Sequence, residues 1–194
     1  MFLQVWGGSC YLANKVLFSL GAKSRVNSTK LQITAWLVYL LGVPAWVIIL
    51  AGHQNWIAAS VEAGGIPSML LGLYNSISEE RQAKQIANVL VSVCTYAALV
   101  LGVSYSVSTH GGIGSIAQVL EFGVMLGFLF GSYYMAKRSN WGWGFFMLMN
   151  VSMASLMFLQ GKPILMGQQL LSLAFVVYGF ISVRKKSANL VITE

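Results

Sequence analysis

The chain has 194 residues, of which 57% are hydrophobic and 9% are charged, and its formal net charge is +7. Long windows that contain almost no charge exclude a water-soluble core and indicate a helical membrane protein with several spans. The basic residues cluster between these windows, so the positive charge indicates membrane topology and not a nucleic-acid partner.

Seven apolar windows predict seven transmembrane helices. They cover residues 2–22, 31–51, 56–75, 86–107, 113–136, 141–160 and 163–183. Each is close to the roughly 20 residues that cross the hydrocarbon layer as a helix. The first window has no basic residues before it and no cleavage site of small residues, so it is interpreted as a retained span and not as a signal peptide. The predicted fold class is all-α and polytopic.

The basic residues predict the orientation. Four segments on one side of the seven-span arrangement contain Lys23, Arg25 and Lys30, then Arg81 and Lys84, then Lys137 and Arg138, then Arg184, Lys185 and Lys186. The opposite segments contain His53, His110 and Lys162. Because positive charge is enriched in cytoplasmic segments, the N-terminus is predicted to lie outside and the C-terminus in the cytoplasm.

A weak internal repeat divides the chain. In one register Gln4, Val5, Ala22 and Lys23 align with Gln118, Val119, Ala136 and Lys137. Two more spans follow each stretch, which predicts a 3+1+3 plan with a first three-helix bundle at 1–76, a lipid-facing linker helix at 86–107 and a second bundle at 113–186. The odd connector makes the two units parallel, related by an axis along the membrane normal.

Two glutamates, Glu62 and Glu121, lie inside the predicted spans. Counting along the helices places both in the outer half of the membrane, where a charge costs up to about 2.5 to 3.5 kcal/mol. The pair therefore predicts a site for a cation or a proton; the alternative is a protonated or hydrogen-bonded carboxyl that serves packing only. Lys15 is a candidate counter-ion, or else it extends toward the cytoplasmic surface.

Polar and aromatic residues inside the spans complete the candidate substrate site. The amides are Asn14, Asn150, Gln168 and Gln169, and the aromatic residues are Trp36, Tyr39, Trp46 and Tyr178. Amides at this depth bind a ligand or join helices by hydrogen bonds, and aromatic rings can stack on a flat cation.

Helix breakers predict a hinge near Glu62. Pro44 and Pro67 lie inside apolar windows, and Gly64 and Gly65 precede the second proline. The alternative is static packing, in which the small residues let helices approach closely.

The chain shows no glycine loop for phosphates and no cysteine or histidine cluster with metal-ligand spacing. No catalytic residue, metal or cofactor is predicted, and an ATP-driven pump or a metalloenzyme is not supported.

The second half resembles the Pnu vitamin transporters, and the 3+1+3 plan resembles the SWEET-type fold. The resemblance rests on Trp141-Gly142-Trp143 at the start of a span, Asn150 seven residues later, Gln168 or Gln169 in the next span, and Tyr178-Gly179 near its end. It implies a bacterial inner-membrane facilitator for nicotinamide riboside, riboflavin or thiamine. It also implies that a cytoplasmic kinase retains the substrate by phosphorylation.

Within that family, nicotinamide riboside members usually carry a tryptophan-rich pattern in the first repeat, whereas here it falls in the second. Two buried carboxylates suit a cationic vitamin, so thiamine is the expected substrate and nicotinamide riboside the alternative. A sugar or proton-coupled transporter and a binding-only receptor on the same fold stay open, and a membrane-embedded hydrolase is the least supported. The expected partners are the substrate, the lipid bilayer and, in a homo-oligomer, further copies of the chain.

Overall fold

The computed structural model describes residues 2–24, 27–52, 56–78, 85–110, 114–161 and 163–191, and the regular elements in these ranges are all α-helices. They are α1 (Phe2–Lys23), α2 (Ser28–Gly52), α3 (Trp56–Gly64), α4 (Ile66–Ile77), α5 (Gln85–His110), α6 (Ile116–Ala136), α7 (Trp141–Leu159) and α8 (Pro163–Val191). The predicted all-α class is confirmed, and each apolar window coincides with a helix, except that α3 and α4 share the third. Of the residues used to predict the orientation, Arg25, His53, Arg81, Lys84 and Lys162 lie outside the described residues, as do the side chains of His110 and Lys186.

Five described helices, α2, α5, α6, α7 and α8, are long and apolar enough to cross a membrane. Helix α1 has 22 residues but carries Asn14 and Lys15, whereas α3 and α4 have 9 and 12 residues and together cover the third predicted span. Large apolar side chains such as Ile86, Leu101 and Ile116 are exposed on these helices, as a surface that faces lipid requires. The protein is a multi-pass membrane protein.

The division between α3 and α4 falls at Gly65. Pro67 in the first turn of α4 has no N–H, so one helical hydrogen bond is missing there, although Met69 N still donates to Gly65 O at 3.1 Å. The two glycines also permit close packing, because an added Cβ at Gly64 would lie 2.6 Å from Ala98 Cβ on α5, and one at Gly65 would meet an α6 ring at 2.4 Å. Close packing therefore accounts for both glycines, and the hinge stays a prediction.

The helices pack by the same scheme in both halves. Helix α1 packs on α2, which packs on α3 and α4; likewise α6 packs on α7, which packs on α8. The halves meet where α1 packs on α8 and where α4 packs on α6, and α5 packs beside α3, α4 and α6. Two related three-helix units would produce this scheme, and the division into 1–76, 86–107 and 113–186 stays a prediction.

The core lies between the halves. Its largest fully buried apolar side chains come from α2, α4, α6, α7 and α8 and include Trp36, Tyr39, Met69, Phe128, Leu129, Phe146 and Val176. This interior also contains several polar side chains.

Candidate substrate site

Four helices bring polar and aromatic side chains together inside this core. Tyr11 and Lys15 come from α1, Tyr39 from α2, Glu62 from α3 and Phe146 from α7, and we call these five residues the central cluster. Tyr11 and Lys15 are four residues apart, so they share one face of α1. The central cluster therefore takes side chains from both halves of the chain.

Lys15 is the most unusual member of the central cluster, because its side chain is 2% exposed. Its Nζ lies 3.4 Å from the ring centroid of Phe146 and 4.6 Å from that of Tyr39, and it has no hydrogen-bond partner among the described residues. A desolvated cation–π contact contributes about 2 kcal/mol, whereas removing an ammonium from water costs several kcal/mol. The rings alone do not compensate the charge. Lys15 does not extend toward a membrane surface.

Glu62 is the acidic residue of the central cluster. The Tyr11 hydroxyl donates a hydrogen bond to Glu62 Oε2, and the half-buried carboxylate interacts electrostatically with Lys15 without a direct hydrogen bond. The central cluster thus contains one acid and one base. Among the described residues, no three His, Cys, Asp or Glu side chains come together as a metal site requires.

Aromatic rings surround the Tyr39 ring. Its centroid lies 5.0 Å from that of Tyr11 and 6.1 Å from that of Phe128, both edge-to-face, and 6.3 Å from the stacked ring of Trp36. The Phe146 ring is 6.4 Å away. Such rings offer both stacking surfaces and negative faces for a cation.

Within the described part of the chain, buried polar atoms without hydrogen-bond partners lie mostly on the same helices. They are Asn14 Oδ1, Lys15 Nζ, Trp46 Nε1 and Asn150 Oδ1, and the hydroxyls of Tyr39 and Ser132 have no other partner but lie beside each other. The amide nitrogens of the two asparagines are satisfied, at 3.0 Å by Ala35 O and at 2.7 Å by Phe146 O, which leaves their oxygens available. A buried polar group without a partner costs about 1–3 kcal/mol, so such a concentration points to a ligand or to water.

Two concavities, of about 310 and 160 Å³, lie along α1, and neither is lined by a member of the central cluster. Of the central cluster, Lys15, Tyr39 and Phe146 are buried, whereas Tyr11 and Glu62 are half-buried.

The structure brings five of the predicted site residues to this region. Glu62 and Tyr39 belong to the central cluster, Trp36 stacks on Tyr39, and Asn14 and Asn150 present unpartnered oxygens beside it along their helices.

The other predicted site residues lie elsewhere. Glu121 is exposed on α6, and Tyr178 is 40% exposed with the Lys23 ammonium 5.8 Å from its ring. Gln168 Nε2 donates to Gly8 O at 2.9 Å and so joins α8 to α1, the alternative role that amides can have inside a membrane. The half-buried Gln169 and Trp46 are also outside the central cluster, although the Trp46 ring lies 5.8 Å from that of Tyr11.

Four residues of this region were not among the predicted site residues. Tyr11 and Phe146 belong to the central cluster, Phe128 packs on Tyr39, and Ser132 lies beside the Tyr39 hydroxyl. Spacing offered one usable signal, since Tyr11 precedes Lys15 by one helical turn. Apolar phenylalanines carry no such signal.

Comparison with known proteins identifies the fold. No protein-family model matches the sequence, and no curated protein matches it significantly. The structure is similar to the crystal structure of the vitamin B3 transporter PnuC, with a TM-score of 0.56 and 18% sequence identity over 93% of this chain and 81% of that one. At this identity the likeness establishes a shared fold, which is the fold that the helix plan predicts.

Proposed function

We propose that this protein is a Pnu-type membrane transporter for a vitamin, and that its substrate is a vitamin B3 nucleoside, nicotinamide riboside, in preference to thiamine. The observation that carries the proposal is the central cluster, where buried aromatic rings and unpartnered polar atoms meet between the two halves. The fold shared with a vitamin B3 transporter supports the choice of substrate.

The argument for thiamine depended on two uncompensated carboxylates. Glu121 is exposed and Glu62 faces Lys15, so the interior holds one acid that already has a cationic neighbour. The pair of uncompensated carboxylates that favoured thiamine over nicotinamide riboside is therefore absent.

The chemistry of nicotinamide riboside fits the groups that are present. Its pyridinium ring can stack on Tyr39 and Phe146, whose negative faces attract a cation. Its carboxamide and ribose hydroxyls can donate to the free oxygens of Asn14 and Asn150, and Ser132 can bond either group. Polar groups placed in an aromatic pocket give orientation and specificity.

The transport cycle is proposed to move the halves against each other. Substrate would cross by facilitated diffusion through the bacterial inner membrane, with the N-terminus outside, and a cytoplasmic kinase would retain it by phosphorylation. The missing hydrogen bond at Pro67 weakens the helix next to Glu62, which supports a hinge there, and Pro44 inside α2 is a second candidate.

Counterflow in proteoliposomes tests this function. Vesicles loaded with unlabelled nicotinamide riboside should take up the labelled compound, and thiamine should compete poorly. Glu62→Gln should reduce exchange by roughly tenfold or more, because it leaves the Lys15 charge without its acid and hydrogen bonds to charged groups contribute about 1.5–3 kcal/mol. The matched control is Glu121→Gln, which removes the same charge from an exposed position.

Three results would contradict the proposal. Efficient exchange of thiamine without exchange of nicotinamide riboside would reverse the choice of substrate. Saturable binding without counterflow would indicate a receptor. Equal losses of exchange in the two glutamine variants would show that the central cluster has no specific role in transport.

A further inference from the structure

We propose that the protein also transports the acid form of the same nucleoside, in which a carboxylate replaces the carboxamide on the pyridinium ring, and that Lys15 binds this carboxylate. The inference rests on the proposed function and extends its substrate class from the cation nicotinamide riboside to the zwitterion nicotinic acid riboside. The observation that carries it is the Lys15 ammonium, which is buried and donates no hydrogen bond to any described residue.

The hydrogen-bonding capacity of Lys15 is unused in the central cluster. An ammonium has three N–H donors and no acceptor, and at 2% exposure these donors reach hardly any bulk water. The rings of Tyr39 and Phe146 offer their faces to the charge but no lone pair to the N–H groups. Because unsatisfied buried donors are costly, a ligand with acceptor oxygens beside Nζ would be stabilised.

The position of Nζ selects the part of the substrate that it would meet. Nζ lies 3.4 Å from the ring centroid of Phe146 and 4.6 Å from that of Tyr39, on the faces where the pyridinium ring is proposed to stack. The carboxyl group of the acid nucleoside is attached directly to that ring. A lysine has a flexible four-carbon stem, so its ammonium can move aside for the ring and still reach the ring substituent.

The charges of the central cluster favour a zwitterion. Its acid and its base, Glu62 and Lys15, together carry no net charge, whether both are ionised or both are neutral. Nicotinamide riboside therefore adds one uncompensated positive charge to a volume that is poor in water, which is unfavourable. Nicotinic acid riboside adds one positive and one negative charge, so the occupied cluster stays balanced.

The two ring substituents differ in what they offer to Lys15. A carboxamide has one neutral acceptor oxygen, whereas a carboxylate has two oxygens that share a negative charge, and charge-assisted hydrogen bonds are roughly twice as strong as neutral ones. The ribose hydroxyls are the same in both nucleosides, so the free oxygens of Asn14 and Asn150 serve either one. Lys15 is thus the residue that distinguishes the acid from the amide.

Counterflow in proteoliposomes shows whether the acid nucleoside is a substrate. Unlabelled nicotinic acid riboside should inhibit uptake of labelled nicotinamide riboside at concentrations no higher than unlabelled nicotinamide riboside requires. Vesicles loaded with nicotinic acid riboside should also drive uptake of labelled nicotinamide riboside. If the acid nucleoside fails to compete, or competes without driving counterflow, the inference is overturned while the proposed function stands.

Two variants of α1 test the role of Lys15. Lys15→Met keeps most of the side-chain length and removes the charge, so it should weaken competition by nicotinic acid riboside roughly tenfold or more relative to nicotinamide riboside. The preference should reverse, because Glu62 then faces the pyridinium charge without a cationic neighbour. Lys23→Met changes an exposed lysine near the end of the same helix and should keep the wild-type preference. An unchanged preference in Lys15→Met would refute the assignment.

A comparison of ligands on the wild-type protein covers the case in which Lys15→Met fails to fold. The methyl ester of nicotinic acid riboside keeps the ring and the ribose but is a cation without a carboxylate. Calorimetric titration of the detergent-purified protein should show that the ester binds roughly tenfold more weakly than the acid. Equal affinities would refute the inference. If neither nicotinamide riboside nor its acid form binds or exchanges, the proposed function fails and the inference fails with it.

Discussion

Substitution of Gly72 by alanine tests how tightly Trp36 packs beside the central cluster. An added Cβ at Gly72 would lie 2.3 Å from two ring atoms of Trp36, where an ordinary contact is 3.4–4 Å. The Trp36 ring would therefore have to move by about 1 Å in a core that cannot easily yield. It is 2% exposed, with the Phe18 ring 4.8 Å away on one side and the Tyr39 ring 6.3 Å away on the other.

The expected loss of stability follows from two opposing terms. Overpacking a core costs about 1–3 kcal/mol, and replacing a helical glycine by alanine returns about 1 kcal/mol. With a contact as short as this one, the overpacking cost should be near its upper end, so the net loss is about 1–2 kcal/mol. For a chain of this length that corresponds to a decrease in Tm of roughly 2–8 °C.

A thermal melt of the detergent-purified protein measures this difference. The matched control is Gly144→Ala in α7, where an added Cβ meets nothing within 4 Å. This control should melt at or slightly above the wild-type temperature, because only the gain in helix propensity remains. If Gly72→Ala melts at the same temperature as Gly144→Ala, the close packing of Trp36 on α4 is refuted.

Two further positions test how neighbouring helices are joined, one through the turn after α7 and one through a hydrogen bond between α8 and α1. Gly161 has φ +65° in the turn after α7, so Gly161→Ala should cost about 1 kcal/mol, whereas Gly161→Asn should cost less; equal Tm values for the two variants would contradict this. Gln168→Ala removes the 2.9 Å hydrogen bond to Gly8 O and should cost about 1 kcal/mol of stability. Gln168→Glu keeps an acceptor but removes the donor, so it should lower Tm at least as much. A Gln168→Glu variant with the wild-type Tm would show that the hydrogen bond contributes nothing to stability.

The helices were predictable because their lengths and composition match the thickness of a bilayer. The long apolar windows coincide with helices. The division between α3 and α4 lies at Gly65, where the two glycines and Pro67 predicted a bend. Helix α5, the predicted linker, exposes most of its apolar side chains, and its position facing lipid stays a prediction.

The side of each helix that faces the interior was not predictable to the same degree. Counting residues placed Glu62 and Glu121 at similar depths, but depth does not determine the direction in which a side chain points. Glu62 faces the central cluster, whereas Glu121 is exposed. When a helix is apolar on all sides, its sequence does not indicate which face is buried.

The contact between Lys15 and Phe146 depends on tertiary structure alone. These residues lie in different halves of the chain, and a phenylalanine in an apolar helix resembles any other core residue. The burial of Lys15 changes the charge argument, because an acid inside a membrane indicates a cationic ligand only when no side chain already supplies the cation. The sequence left Lys15 as either a counter-ion or a surface-directed lysine, and the structure places it inside.

Fluorescence titration of the detergent-purified protein tests most directly whether the central cluster binds the vitamin. Trp36 stacks on Tyr39, so a ligand that enters there should change Trp36 emission. Nicotinamide riboside is predicted to give a saturable change that is much weaker in Tyr39→Leu and in Trp36→Phe, with little response to thiamine. A saturable change that is the same in wild type and Tyr39→Leu, or that appears with thiamine alone, would contradict the account.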